Sequence, residues 1–220
     1  MPPANYQAVL FDLDGTLLDT APDFTTSINS ILTRHQRPTL AENDIRATIT
    51  HGSAGLLGHA FNCNEGDPGF ETLRTEFLDI YFEHLAQKTC LFPGLAQLLD
   101  ALGQRNIPWG IVTNKPAFLT DPLLLHFQQF TKSQSNISGD TIKERKPHPA
   151  PMLLASKEIG VAAEHIWFLG DAKRDIDAGN AASMTTIAVK WGYIKPFDDC
   201  AKWQANHIIS NPLDLVGISK

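Results

Sequence analysis

The sequence predicts an α/β protein in which a helical segment interrupts a parallel sheet. Two observations support this prediction: short, unbroken apolar runs alternate with stretches of helical periodicity, and the long segment after the first run has helical periodicity only. The 220 residues are 43% hydrophobic and 19% charged. This composition is typical of globular proteins and excludes fibrous and disordered chains.

Buried strands are predicted at four apolar runs, which cover residues 8–11, 109–112, 166–169 and 185–189. Strands of a parallel sheet are covered on both faces, so they lack the alternation of polar and apolar residues. A further strand is expected between Phe130 and Asp140, and the polar residues 134–138 indicate that it is short or lies at an edge. Helical periodicity at residues 95–102 and 152–159 supplies helices for the faces of the sheet.

The inserted segment is predicted to be a helical bundle. Its apolar residues form three stripes at helical spacing: Phe24, Ile28, Ile31 and Leu32; Leu56, Leu57, Ala60 and Phe61; and Leu73, Phe77, Ile80, Tyr81 and Leu85. Thr20 and Pro22 are typical of the start of the first helix. We therefore expect an α/β core domain formed by residues 1–19 and 89–220, and a helical domain formed by residues 20–88.

Charge, cysteines and hydropathy exclude several classes of protein. With 18 Lys and Arg against 24 Asp and Glu, the formal charge of -6 argues against binding of nucleic acid. The 3 cysteines are far apart, so neither a disulfide framework nor a zinc ribbon is expected. The sequence shows no signal peptide and no apolar run near about 18 residues, so we expect a cytoplasmic protein without membrane contact.

Polar side chains follow three of the predicted strands. Asp12 and Asp14 follow the first, Thr113 follows the second and Asp171 follows the third. In an open parallel sheet these strand ends form the binding crevice. If the strand persists through Asp14, the side chains of Asp12 and Asp14 leave it on the same face, and two carboxylates this close repel each other unless a cation or a shared proton intervenes. With Asp171 and Asp175 they supply the oxygen ligands that suit Mg²⁺.

The same crevice is expected to hold Lys146, from the turn-like segment 146–149 (KPHP). Carboxylates, Mg²⁺, the Thr113 hydroxyl and the Lys146 ammonium together can stabilise a phosphoryl group during transfer. Asp12 is then the nucleophile, because a carboxylate can carry the phosphoryl group as an aspartyl-phosphate. Asp14 is the general acid and base: it protonates the leaving oxygen and then activates the water.

Four motifs in this order resemble those of the haloacid dehalogenase superfamily of phosphatases. They are residues 12–20 (DLDGTLLDT), 112–115 (VTNK), 146–149 (KPHP) and 170–175 (GDAKRD). Any one of these motifs alone would be a weak signal, whereas all four in the correct order are a strong one. The resemblance covers most of the chain, and it implies a Rossmann-like core with an inserted α-helical cap.

The resemblance also implies the roles of individual residues. Mg²⁺ would be bound by Asp12, by the backbone carbonyl of Asp14 and by Asp171. Asp175 would contact the ion directly or through a water molecule. The phosphate of a small phosphorylated metabolite would be bound by Thr113, Asn114 and Lys146.

A narrower resemblance concerns the substrate. Residues 113–116 (TNKP) are similar to the phosphoglycolate phosphatase group, and N-acetylmuramic acid 6-phosphate phosphatases of that group are similar at residues 19–24, 73–78 and 191–194. Either phosphate ester is thus an expected substrate, which implies a role in carbohydrate or metabolite salvage. The family's cap points a loop into the site, so Arg46 and His51, near the break at residues 52–53, are candidate substrate-binding residues.

Two alternatives remain open from the sequence. A sugar-phosphate mutase of the same fold uses the same pair, Asp12 and Asp14. A receiver-type signalling domain has an acidic Mg²⁺ cluster, a phospho-accepting Asp, a Thr and a Lys, but it lacks the second Asp and the inserted helices. Lys115 is equally compatible with a functional and with a solvated side chain, and the protein is expected to be a monomer or a homodimer.

Overall fold

The structure, a computed structural model, describes residues 6–195 and 198–217. Residues 1–5, part of the amino-terminal stretch in which no signal peptide was recognised, lie outside the described residues. The chain divides into two compact units, one formed by Met1–Leu18 with Leu91–Lys220 and the other by Asp19–Cys90. Within the described residues, no helix is long and apolar enough to cross a membrane.

The larger unit is built on a parallel sheet of six strands. In chain order the strands of the described residues are β1 (Ala8–Phe11), β2 (Leu18–Asp19), β3 (Cys90–Leu91), β4 (Trp109–Val112), β5 (Asn136–Ile137), β6 (Ile166–Gly170), β7 (Thr185–Val189) and β8 (His207–Ile209). The sheet has the order β5-β4-β1-β6-β7-β8, while β2 and β3 form a separate pair. β1 lies between β4 and β6, so the strand order reverses there. Ligands of open α/β sheets bind at such switch points, outside the carboxyl ends of the strands.

The four predicted buried strands are confirmed as β1, β4, β6 and β7. The weak fifth strand is confirmed as β5, which has two residues and lies at one edge of the sheet. β8 at the opposite edge was not predicted. It has three residues and its central Ile208 is 39% exposed, so it lacks the apolar run of a buried strand.

Eight α-helices are found in the described part of the chain. They are α1 (Ala21–Arg34), α2 (Glu42–Ile49), α3 (Gly52–Phe61), α4 (Phe70–Glu83), α5 (Leu95–Gln104), α6 (Ala117–Leu125), α7 (Ala150–Ile159) and α8 (Lys173–Ala181). Short 3-10 helices lie at Gln128–Lys132, Ala163–His165, Cys200–Lys202 and Pro212–Gly217. The larger unit contains α5 to α8 and the smaller unit contains α1 to α4.

In the larger unit, helices cover the sheet and hold its strand ends in place. α7 packs against β4 and β5, and α8 packs against β6 and β7. One buried cluster joins Leu10 of β1 and Phe168 of β6 to Met152 of α7 and Ala178 of α8. Each of these side chains is fully buried. Burial of a side chain as large as Leu, Phe or Met stabilises the fold by about 1.5–3 kcal/mol. The carboxyl ends of β1, β4 and β6 are therefore fixed by a well-packed core.

The smaller unit contains four helices. The three predicted apolar stripes fall on α1, α3 and α4, whereas the short helix α2 was not predicted. Phe24 of α1 stacks on Tyr81 of α4 with ring centroids 4.2 Å apart, and on Phe77 at 5.9 Å. Asp23, near the start of α1, is fully buried. Its carboxylate accepts hydrogen bonds from the backbone N–H of Lys88 at 2.9 Å and the hydroxyl of Thr89 at 2.6 Å. Asp23 therefore joins the first helix of the unit to its last residues.

Candidate active site

Three neighbouring strand ends bring the predicted side chains to one edge of the sheet. The backbone N–H of Asp12 donates to the Leu169 carbonyl at 2.9 Å, and that of Thr113 donates to the Ile137 carbonyl at 2.9 Å. These bonds extend the parallel ladder one residue past β1 and β4. Asp171 follows β6 directly. The switch point is thus lined by residues that the sequence singled out.

Three carboxylates form a cluster at this point. Asp12, Asp171 and Asp175 each offer one oxygen, and these oxygens lie within 4.8 Å of one another. Asp175 lies in the first turn of α8, where its Oδ2 accepts from the Ala172 backbone N–H at 3.0 Å. A Cβ atom at Gly170 would lie 2.3 Å from the Cβ of Asp175, so glycine at 170 is what lets α8 begin this close to the strand end.

Lys146 supplies the positive charge of the cluster. Its Nζ lies 2.6 Å from Asp12 Oδ1 and 2.8 Å from Asp175 Oδ1, and its side chain is only 1% exposed. The ammonium also lies 5.5 Å from the centre of the Phe168 ring. The contact with Asp175 Oδ1 is a buried ion pair, and a carboxylate oxygen has two lone pairs, so this oxygen retains capacity for a further cation.

Asn114 holds the backbone of Lys146. Its amide Nδ2 donates to the Lys146 carbonyl at 2.9 Å, and its Oδ1 accepts from the Lys146 N–H at 3.1 Å. A Cβ at Gly139 would lie 2.2 Å from the Asn114 carbonyl oxygen, so the neighbouring loop packs directly on this residue. The sequence predicted Asn114 as a phosphate ligand, and the structure gives its side chain this positioning contact.

Burial and crowding shift the protonation of the cluster. Burial raises the pKa of Asp12 to about 7; the nearby Lys146 opposes the shift, and the Asp175 charge adds to it. Burial, followed by the charges of Asp12 and Asp175, raises the pKa of Asp171 well above its usual range. Burial alone would lower the pKa of Lys146, but its two carboxylate partners outweigh this effect and raise it. Burial and mutual repulsion thus both disfavour the ionised forms of Asp12 and Asp171.

These residues fit a small divalent cation. The donor set consists of carboxylate oxygens, which are hard ligands and suit Mg²⁺. Burial first, and then the neighbouring carboxylate charges, disfavour the ionised forms of Asp12 and Asp171, and a divalent cation would counter both effects; Asp175 Oδ1 is a buried oxygen that can take part. Asp12, Asp171 and Asp175 are thus the side chains that would hold such an ion.

A second ion pair lies beside the cluster. Lys115 Nζ is 3.1 Å from Asp14 Oδ1 and 3.4 Å from Oδ2, with the lysine side chain 4% exposed and that of Asp14 19% exposed. Thr113 Oγ1 accepts from the Lys115 backbone N–H at 3.1 Å. The sequence left Lys115 undecided, because a lysine after a strand has no distinguishing pattern. Only its contact across 101 sequence positions shows that it belongs to the site.

Arg46 and His51 belong to the smaller unit. Arg46, on α2, pairs with Asp19 Oδ2 at 2.7 Å and with Glu42 Oε1 at 2.9 Å. His51 directly precedes α3, and a Cβ at Gly55 would lie 2.2 Å from the His51 Cβ. The prediction that both residues bind substrate stays a prediction.

A buried cluster of three aspartates and one lysine thus lies at the switch point of the parallel sheet, where α/β enzymes bind their ligands. Residues 9–189 match the family described as haloacid dehalogenase-like hydrolase. The chain belongs to this family, as the resemblance of its four motifs predicted.

Individual relatives support the same assignment. The chain is 37% identical to an N-acetylmuramic acid 6-phosphate phosphatase from Pseudomonas aeruginosa over 96% of its own length and 94% of that protein. It is 41% identical to a phosphoglycolate phosphatase from Xanthomonas campestris over 95% of its own length and 94% of that protein. A crystal structure from Haemophilus somnus, described as a "predicted phosphoglycolate phosphatase", has a TM-score of 0.87 and 28% identity, and covers 99% of this chain and 100% of that one. The chain is thus an enzyme of the haloacid dehalogenase-like hydrolase family, and the two relatives described above are named as phosphatases.

Proposed function

We propose that the protein is a Mg²⁺-dependent phosphomonoesterase that acts through an aspartyl-phosphate on Asp12. The observation that carries the proposal is the 2.6 Å contact between Lys146 Nζ and Asp12 Oδ1 within the three-carboxylate cluster. Lys146 fixes the orientation of Asp12 and supplies the positive charge that an incoming phosphate needs. Bound Mg²⁺ would neutralise charge on the phosphate and the carboxylates, and Asp12, Asp171, Asp175 and the Asp14 carbonyl would hold it.

The chain's own residues account for both steps. In the first, an Asp12 carboxylate oxygen bonds to phosphorus while the bond from phosphorus to the ester oxygen breaks, and Asp14 gives that oxygen a proton. In the second, Asp14 takes a proton from water as the water oxygen bonds to phosphorus. The bond between phosphorus and Asp12 then breaks, which releases phosphate and restores Asp12. Thr113 Oγ1 accepts from the Lys115 N–H, and its own hydroxyl proton would be donated to the phosphate.

The substrate is proposed to be N-acetylmuramic acid 6-phosphate or 2-phosphoglycolate, each of which carries a carboxylate in addition to its phosphate ester. The relatives named for these two activities support the proposal at 37% and 41% identity. Residues 20–88 are proposed to act as the cap that selects between such compounds, with Arg46 and His51 as substrate-binding residues. A cytoplasmic location and a monomeric or homodimeric state stay predictions.

The experiment that tests the function compares the wild type with Asp12→Asn and with Asp177→Asn. Asp177 is a matched control, because its carboxylate is 39% exposed and pairs with Lys173 on the surface of α8. With Mg²⁺ and 4-nitrophenyl phosphate, Asp12→Asn should lose activity and Asp177→Asn should keep it. Full activity of Asp12→Asn would contradict the proposal.

The same assay with three natural esters selects the substrate. The values of kcat/KM are compared for N-acetylmuramic acid 6-phosphate, 2-phosphoglycolate and a hexose 1-phosphate. A preference of tenfold or more corresponds to about 1.4 kcal/mol of transition-state binding and identifies the substrate. Conversion of the hexose 1-phosphate to another hexose phosphate, without release of phosphate, would instead indicate a mutase.

A further inference from the structure

The loop of residues 191–193 lies against Asp171. The backbone N–H of Tyr193 donates to Asp171 Oδ2 at 2.7 Å, and the hydroxyl of Thr16 donates to Oδ1 at 3.4 Å. Asp171 is 2% exposed, so the short bond is shielded from water and fixes one carboxylate oxygen. The other oxygen has only the longer contact and is therefore held less tightly.

The loop approaches Asp171 so closely that residue 192 has no room for a side chain. A Cβ at Gly192 would lie 2.3 Å from the Asp171 Cβ and 2.4 Å from the carbonyl oxygen of Gly15. A Cβ at Gly15, whose φ is +86°, would lie 2.2 Å from Asp171 Oδ2. Two glycine backbones therefore pack against the same aspartate, and a side chain at either position would displace it.

Trp191 attaches the loop to the segment that carries the nucleophile. Its indole N–H donates to the backbone carbonyl of Thr16 at 3.0 Å, across 175 sequence positions. The loop is thus bonded on one side to the turn that follows Asp12 and Asp14, and on the other side to Asp171. Its position relative to both is set by these separate contacts.

We propose that residues 191–193 are a positioning loop that orients the Asp171 carboxylate for a divalent cation; the inference rests on the proposed Mg²⁺ site. Without such contacts, a carboxylate next to those of Asp12 and Asp175 would be expected to turn away from them, because like charges repel. Partners that orient metal ligands typically contribute 10- to 100-fold to metal affinity. The loop is therefore expected to govern the affinity for Mg²⁺ without contacting the ion.

The test is isothermal titration of the full-length protein with Mg²⁺ alone. Gly192→Ala should weaken Mg²⁺ binding by about tenfold or more, since the added methyl group displaces Asp171. Trp191→Phe keeps the aromatic ring but removes the indole N–H, and should weaken binding by less than about tenfold, because this N–H bonds Thr16 and not Asp171 itself. Gly103→Ala is the matched control, because nothing lies within 4 Å of a Cβ at that position, and its affinity should equal that of the wild type.

The outcomes distinguish the positioning role of the loop from the existence of the Mg²⁺ site. If the wild type binds Mg²⁺ and a folded Gly192→Ala binds it equally well, the positioning role is wrong while the proposed function stands. If Gly192→Ala does not fold, Trp191→Phe decides, and unchanged affinity of that variant contradicts the inference. If the wild type binds no Mg²⁺, the proposed cofactor and the loop's role both fail.

Discussion

Lys115 Nζ lies 3.1 Å from one carboxylate oxygen of Asp14 and 3.4 Å from the other. Asp14 is the proposed general acid and base, and it lies two residues after the proposed nucleophile. The ammonium contacts both oxygens, so it restricts rotation of the carboxylate. Since proton transfer depends on geometry as well as on proton affinity, Lys115 becomes a candidate positioning residue for Asp14.

Replacement of Lys115 by Met removes the ammonium and keeps most of the aliphatic stem. We expect Lys115→Met to lower kcat by about 10- to 100-fold, because the carboxylate loses its fixed orientation. The measurement is steady-state kinetics with an alkyl phosphate. Lys173→Met, which alters an exposed lysine on α8, serves as the control. A change confined to KM would contradict the positioning role and would indicate that Lys115 binds substrate.

Lys146 should be a strong determinant of stability when no metal is bound. Its buried ammonium pairs with both Asp12 and Asp175. Removing one partner from a buried ion pair typically costs about 3–5 kcal/mol, because the remaining charge loses its partner. Urea unfolding of Lys146→Met in EDTA should show a loss of this size, and Mg²⁺ should restore part of it. The exposed Lys132→Met is the control, and a loss under about 1 kcal/mol would refute the prediction.

The raised pKa values predict how metal-free stability depends on pH. Burial raises the pKa of Asp12 to about 7, above its usual value of 3.8, and raises that of Asp171 in the same direction. The folded state then binds more protons than the unfolded state within this window, so stability falls as pH rises toward 7. In EDTA, Tm should be higher at pH 5.5 than at pH 8.

Mg²⁺ should reverse the fall in stability with rising pH, since the ion takes the place of the protons on the carboxylates. The gain in Tm on adding Mg²⁺ should be larger at pH 8 than at pH 5.5, because protons compete for the same oxygens at the lower pH. Asp171→Asn should flatten the metal-free pH dependence and reduce the gain. A gain in Tm that is equal at both pH values would show that the cluster is not the site of the ion.

Arg46 should affect selectivity more than chemistry. Its guanidinium pairs with Asp19 and Glu42 within the smaller unit, so any contact with substrate must share this charge. Arg46→Ala should lower kcat/KM for the preferred carboxylate-bearing ester by about tenfold, or about 1.4 kcal/mol, and leave the value for 4-nitrophenyl phosphate within about twofold. Arg34→Ala, which alters an exposed arginine of α1, is the control. An equal loss with both esters would contradict a role in selectivity.

The sequence predicted the parts of the site that depend on strand ends. β1, β4 and β6 are buried on both faces, so their apolar runs stand out, and Asp12, Thr113 and Asp171 follow from their positions. The short edge strand β8 lacks such a run. The position of a buried strand can thus be predicted from the sequence, because it depends on a run of consecutive apolar residues.

Contacts between residues that are far apart in the sequence could not be predicted in this way. Lys115 meets Asp14 across 101 positions, and Asn114 binds the backbone of Lys146 across 32. The hydrogen bond from Tyr193 to Asp171 uses a backbone N–H, which every residue except proline carries. The identity of residue 193 therefore does not predict this bond. These contacts depend on how the strand ends are placed side by side, which only the fold determines.

The most direct test of the mechanism is to trap the phosphorylated enzyme. Asp14→Asn should still accept a phosphoryl group from 4-nitrophenyl phosphate, a substrate with a good leaving group, but it cannot activate water for the second step. After acid quench and proteolysis, mass spectrometry should find one phosphoryl group on the peptide that contains Asp12. The same group should be absent when Asp12 is also replaced by Asn. A phosphoryl group on another residue, or continued phosphate release by Asp12→Asn, would contradict the account.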